Sequence, residues 1–212
     1  MHIYAFGSIC RGDIVAGSDV DLLAVFEGHD SRFDPAVYSI YSYDRLKDLW
    51  SEGNPFAWHL SLESRLVYAS NEMDYLKYLG MPDKYSQCSR DCHKFYSLFK
   101  ESRESLEKIN SSRIFDLSTI FLSIRNIATC YSLGMTETPN FSKDSALHLG
   151  QHSLAISAES YDVFVRSRIL STRGYGASIS NQNYIAAVST LDQINNWMHS
   201  LLEKVERNER VQ

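Results

Sequence analysis

The chain has 212 residues, 44% of them hydrophobic and 22% charged, with only four prolines and ten glycines. That balance supplies a buried core and excludes collagen-like, low-complexity and wholly disordered classes. A formal charge of −5 excludes a general nucleic-acid coat, because holding a phosphate backbone needs a net basic face.

In chain order, the first part is built from short apolar runs. His2–Phe6 and Asp19–Phe26 read as strands, and Val37–Tyr43 and Phe56–Tyr68 read the same way from their Tyr, Val, Ile and Leu content. Ser8–Gly17 is long enough for a short helix between the first two. Asp44–Ser51 reads as another, with Asp44 as N-cap and Leu46, Leu49 and Trp50 on one side. Strands interleaved with short helices predict a small mixed sheet with flanking helices.

After Gly80-Met81-Pro82 the period becomes helical. Helices are predicted over His93–Ile109, Phe115–Leu133, Ser145–Ile156, Tyr161–Leu170 and Tyr184–Val205, with Gly134 as the stop of the second. The charged stretch Glu203–Gln212 is expected to fray. The fold class is therefore α+β, with a sheet-containing domain over residues 1–80 and an all-α helical bundle over residues 81–212.

No apolar run approaches the ~18 residues of a membrane span, and no basic stretch followed by a long apolar one opens the chain. A soluble, cytoplasmic protein without a membrane partner is expected. Of the four cysteines, Cys88 and Cys92 sit one helical turn apart beside His93. They supply at most three metal ligands, and no second cluster completes a closed site. Neither a Gly-x-x-x-x-Gly-Lys-Ser/Thr loop nor a His-Glu-x-x-His pair occurs.

The chemistry is concentrated between Phe6 and Asp21. Gly7-Ser8 ends a strand and opens a helix, so backbone N–H groups and a hydroxyl face whatever lies above the turn. Asp19 and Asp21 are two apart on a strand, so both carboxylates leave one face. Two acids so placed repel unless a cation lies between them, and Mg²⁺ shared with substrate phosphates meets that need.

Gly7-Ser8-Ile9-Cys10-Arg11-Gly12-Asp13, followed by Ser18-Asp19-Val20-Asp21-Leu22-Leu23, resembles the signature of the DNA polymerase β-like nucleotidyltransferase superfamily. The style is that of its minimal and aminoglycoside-type members. The resemblance implies that Gly7 and Ser8 bind the nucleoside triphosphate, that Asp19 and Asp21 hold Mg²⁺ (one ion or two), and that ATP is the expected donor. It implies transfer of a nucleoside monophosphate to an acceptor hydroxyl on a small molecule, a tRNA or a protein. Arg11, Gly12 and Ser18 match family positions that are not catalytic, and the resemblance implies that Arg11 braces the loop rather than touching phosphate. The helical second half resembles the HEPN-like substrate-binding bundle that follows such domains.

Two departures follow from the resemblance. The family's third carboxylate, on a later strand, falls near Ser39, which is no acid. Glu63, or else His59, is the candidate replacement, expected on a strand over residues 58–63. Met1 lies next to the first strand, so the leading helix of many relatives is expected to be absent. An uncovered sheet points to a homodimer or a partner protein. The active HEPN pattern of Arg, a polar residue and a nearby His begins at Arg125-Asn126 and fails at residues 130–132, so ribonuclease activity is not expected. The alternative function is a catalytically weakened regulator, one component of a toxin–antitoxin or defence pair.

Overall fold

The computed structural model describes residues 1–13, 20–108 and 112–210. It consists of two compact units, Met1–Ser86 and Gln87–Gln212. Asp19 and Ser18, and the end of the helix expected over Ser8–Gly17, lie outside the described residues.

In the first unit, β1 (His2–Phe6), β2 (Asp21–Val25), β3 (Tyr38–Tyr41) and β4 (Ser64–Ala69) form one sheet in the order β3-β2-β1-β4. β1 is antiparallel to both β2 and β4, whereas β2 and β3 run parallel. Side chains alternate along a strand, so Tyr4 and Phe6 of β1 share a face with Leu23 and Val25 of β2. That face is covered by α2 (Tyr43–Ser51), α3 (Pro55–Glu63) and α4 (Tyr75–Leu79) through Leu46, Leu49, Trp50, Ala57, Leu60 and Leu76. The opposite face carries a smaller cluster of Ala24, Phe26 and Phe33. Between β1 and β2 lies α1 (Ser8–Arg11), a single turn.

The run Phe56–Tyr68 is not one strand. Asn54 accepts the Phe56 N–H on Oδ1 at 2.9 Å and Pro55 takes the first helical position, so a helix starts there. α3 is apolar on several sides, which hides the helical period that would distinguish it from a buried strand. It stops at Glu63, and only Ser64–Ala69 is extended. Ser42, rather than Asp44, caps α2, its Oγ accepting the Arg45 N–H at 3.1 Å.

The second unit contains α5 (Cys88–Leu106), α6 (Arg113–Met135), α7 (Ala158–Arg173), α8 (Asn181–Val188) and α9 (Leu191–Glu209). α6 packs against α5, α7 and α9 and is buried on several sides. It passes through Gly134 and ends where the Thr136 hydroxyl donates to the Ser132 carbonyl at 2.8 Å. Ser145–Ile156 forms two short 3-10 turns instead of a helix, held down by Ser145 Oγ donating to the Arg125 carbonyl at 3.1 Å. The helix expected over Tyr184–Val205 is two. The Ser189 and Thr190 hydroxyls donate to the Ala186 and Ala187 carbonyls, ending α8 before α9 begins. The charged end does not fray at Glu203: α9 continues to Glu209, with Val205 buried. Among the described residues no helix is long and apolar enough to cross a membrane.

Candidate active site

The site begins where β1 ends. Phe6 pairs with Asp21 on β2 and with Ser64 on β4, so the end of β1 has one neighbour on each side. Gly7 follows with φ +74° and ψ −139°, a backbone region that side chains strain to enter. An ideal Cβ on Gly7 would lie 2.7 Å from Asp21 Oδ2. The carboxylate of Asp21 therefore occupies the space that only glycine leaves open, and turn and acid share one corner of the sheet.

Ser8 opens α1, and the Ser8 and Ile9 amides precede the first intrahelical bond by position. The turn is closed by Cys10 N–H donating to the Gly7 carbonyl at 3.0 Å and Asp13 N–H donating to the Ser8 carbonyl at 3.0 Å. Gly12 ends it in the left-handed region at φ +81°. With four residues, α1 is too short for a substantial macrodipole. The donors this turn can offer are therefore local N–H groups and the Ser8 hydroxyl rather than a helix end.

Asp21 is exposed at the first position of β2, while the residues that follow turn into the core. A hard carboxylate oxygen is the donor type that Mg²⁺ takes, so Asp21 is chemically suited to be one ligand of such an ion. Asp19, its expected partner, lies outside the described residues. Among the described residues no group of three His, Cys, Asp or Glu side chains is arranged to hold a metal.

Ser39 pairs with Leu23 and shares its face, which is also that of Asp21. β3 therefore presents a half-buried serine where the resemblance asks for an acid. Asp44 lies in the first turn of α2, not on that strand. Glu63 and His59 are on α3, one turn apart, not on a strand. Glu63 accepts from Arg11 Nη1 and stands 3.0 Å from His59 Nε2. Burial alone would raise the Glu63 pKa, but the adjacent His59 ring and the Arg11 charge bring it below the usual carboxylate value. The guanidinium of Arg11 is held charged: burial opposes this, and its bonds to Asp13 and Glu63 outweigh the opposition. The Cys10 thiol is pushed up chiefly by burial and donates to the Ala5 carbonyl at 3.3 Å, which makes it a structural side chain.

Residues 2–88 match the family model of the nucleotidyltransferase domain. The N-terminal unit is a nucleotidyltransferase domain of the DNA polymerase β-like superfamily. No curated protein and no solved structure matches the chain. A nucleotidyltransferase domain carries, as its general chemistry, transfer of a nucleoside monophosphate from a nucleotide substrate.

Elsewhere the sequence candidates are structural. Cys88 and Cys92 are buried in α5, and the Cys92 thiol is pushed far up by the adjoining Cys88 thiol and by burial. His93 lies 3.0 Å from Glu206 on α9. Arg125 donates through Nη2 to the Phe141 carbonyl at 3.0 Å, anchoring the segment after α6. The Arg11–Glu63–His59 network went unread in the sequence. Its one signal is the His59–Glu63 spacing of four, which pairs side chains only on a helix.

Proposed function

We propose that this protein is a Mg²⁺-dependent nucleotidyltransferase that moves a nucleoside monophosphate from ATP to an acceptor hydroxyl. The observation that carries the reading is the Asp21 carboxylate lying against Gly7, so that an acid and the Gly7-Ser8 turn share one corner. Gly7, by leaving room for close approach, and Ser8, through its N–H and hydroxyl, would bind the β/γ end of the triphosphate, the Gly7 N–H itself being taken by the Glu63 carbonyl. Asp19 and Asp21 would hold Mg²⁺, which when bound neutralises charge developing on the phosphates. The acceptor hydroxyl oxygen attacks the α-phosphorus and gives up its proton to solvent, the bond to the bridging oxygen breaks, and pyrophosphate leaves. Acceptor recognition is assigned to the helical second unit. Incubation with labelled ATP, Mg²⁺ and small-molecule, tRNA and protein acceptors tests this. Transfer is expected from the wild type and lost in Asp19→Asn and Asp21→Asn; undiminished transfer in both variants refutes the assignment.

A second reading, a nucleotide-binding regulator without turnover, is favoured by one observation: the serine on β3 at the third acid position. Calorimetric titration with ATP and Mg²⁺ separates the two. Tight binding with no transfer to any acceptor supports the regulator, and transfer eliminates it.

A further inference from the structure

The Gly7-Ser8 turn is held from one side by a single residue that contributes two different groups. The Glu63 carbonyl accepts the Gly7 N–H at 3.1 Å. The Glu63 carboxylate accepts from Nη1 of Arg11, the last residue of α1, while Arg11 Nε donates to Asp13 at 2.9 Å. His59, one turn back on α3, faces the same carboxylate oxygen at 3.0 Å and sets its ring edge-on to Phe6 with centroids 5.7 Å apart. The residues just before and at the end of the turn, Phe6 and Arg11, are thus both tied to the C-terminal end of α3. The three side chains are largely shielded, with 21%, 15% and 13% of Arg11, Glu63 and His59 exposed. Shielding strengthens charge-assisted hydrogen bonds relative to those at an open surface.

We propose that Glu63, with Arg11 and His59, is a positioning clamp that fixes the nucleotide-binding turn, and that it is not the base that deprotonates the acceptor. This rests on reading Gly7-Ser8 as the triphosphate turn. A general base must reach the acceptor proton and have an affinity for it matched to the working pH. Glu63 instead directs its carboxylate into a guanidinium and an imidazole, and those partners lower its proton affinity. What the pairing does achieve is geometric. α1 is one turn long and cannot hold its own position, whereas α3 is anchored in the core through Ala57 and Leu60.

The test uses the full chain with Arg11→Ala, Glu63→Ala, the double variant and Glu63→Gln. Each receives an ATP–Mg²⁺ titration by calorimetry, a kcat and KM determination, and amide hydrogen exchange over Gly7–Asp13 without nucleotide. A clamp predicts that each alanine variant weakens ATP binding by about tenfold to a hundredfold. The double variant is no worse than the weaker single, because both remove one interaction. Glu63→Gln, which keeps an acceptor for Arg11, recovers part of the binding and most of kcat, and exchange at Cys10, Gly12 and Asp13 speeds up only in the alanine variants. The proposal is overturned if Glu63→Gln binds ATP as the wild type does but loses kcat a hundredfold, the signature of a base. It is also overturned if the Arg11 and Glu63 effects simply add, or if exchange over the turn is unchanged. If the wild type binds no ATP, the nucleotidyltransferase reading fails, and the exchange measurement still decides whether the clamp exists.

Discussion

Placing a methyl group on Gly7 separates two effects that usually arrive together. Alanine at φ +74°, ψ −139° enters a region reserved for glycine, at a cost of about 1–3 kcal/mol. Its Cβ would also start 2.7 Å from Asp21 Oδ2, where ordinary contact begins at 3.4 Å. The carboxylate must retreat by about 0.7 Å, which forces a side-chain torsion off its well at about 0.5–1.5 kcal/mol. Gly7→Ala is therefore expected to lose about 2–4 kcal/mol of stability and to move Asp21. Gly12 provides the control: its φ is +81° but nothing lies within 4 Å of an added Cβ. Gly12→Ala is expected to lose about 1–2 kcal/mol from backbone strain and to leave Asp21 in place. Equilibrium urea unfolding reads the first difference, and transfer of labelled nucleotide reads the second. Misplacing a reacting group by about 1 Å costs roughly a hundredfold in rate, so Gly7→Ala should fall near that level while Gly12→Ala stays close to wild type. Equal loss of transfer in both variants, or none in either, refutes the argument that Gly7 exists to seat Asp21.

Glu63 titrates below its ordinary value of 4.5 in the folded protein, so the stability it contributes is complete above that pH and is lost as pH falls below it. Urea unfolding of wild type and Glu63→Gln from about pH 7 to about pH 3 should show a gap that narrows below pH 4.5; a gap that is constant with pH contradicts the ion pairing. Asn54→Ala removes the acceptor for the Phe56 N–H and should cost about 1 kcal/mol by the same method, as helix caps do; no change would mean the cap is idle. Ile124, fully buried on α6, should cost about 2–5 kcal/mol as Ile124→Ala, and a loss under 1 kcal/mol would show that α6 is not central to its unit. Native alkylation followed by mass spectrometry should label Cys10 before Cys88, Cys92 and Cys130, the last three being buried; early labelling of Cys92 would overturn its placement.

How much of this was legible in the sequence differs from element to element. β1 and β2 were readable because their apolar runs are short, bounded by Gly and Asp, and flanked by turn residues. The Asp21–Gly7 corner was readable because strand parity and the antiparallel return leave few alternatives. α3 was not, since a helix with apolar residues on several sides shows no period, and its start signal, Asn54-Pro55, is brief. That error carried Glu63 and His59 to the wrong kind of element, hiding the four-residue spacing that links them. The break between α8 and α9 was missed because two hydroxyl residues can end a helix as well as a glycine, and the continuous apolar stripe across them concealed it. Arg11 could be named in advance but not its partner, because Arg11 and Glu63, separated by 52 positions, are brought together only by the fold.

The central position of β1 has a consequence for the order of assembly. One edge of it is completed by a strand that follows within about fifteen residues of chain, the other by one that begins at Ser64. A nascent polypeptide emerging from the ribosome can zip the first pair early, yet the bend that would cradle a substrate stays untethered until α3 and β4 have been synthesised. The tethering of the turn is thus a late product of folding, and a chain arrested before residue 63 would carry the motif without the means to hold its shape.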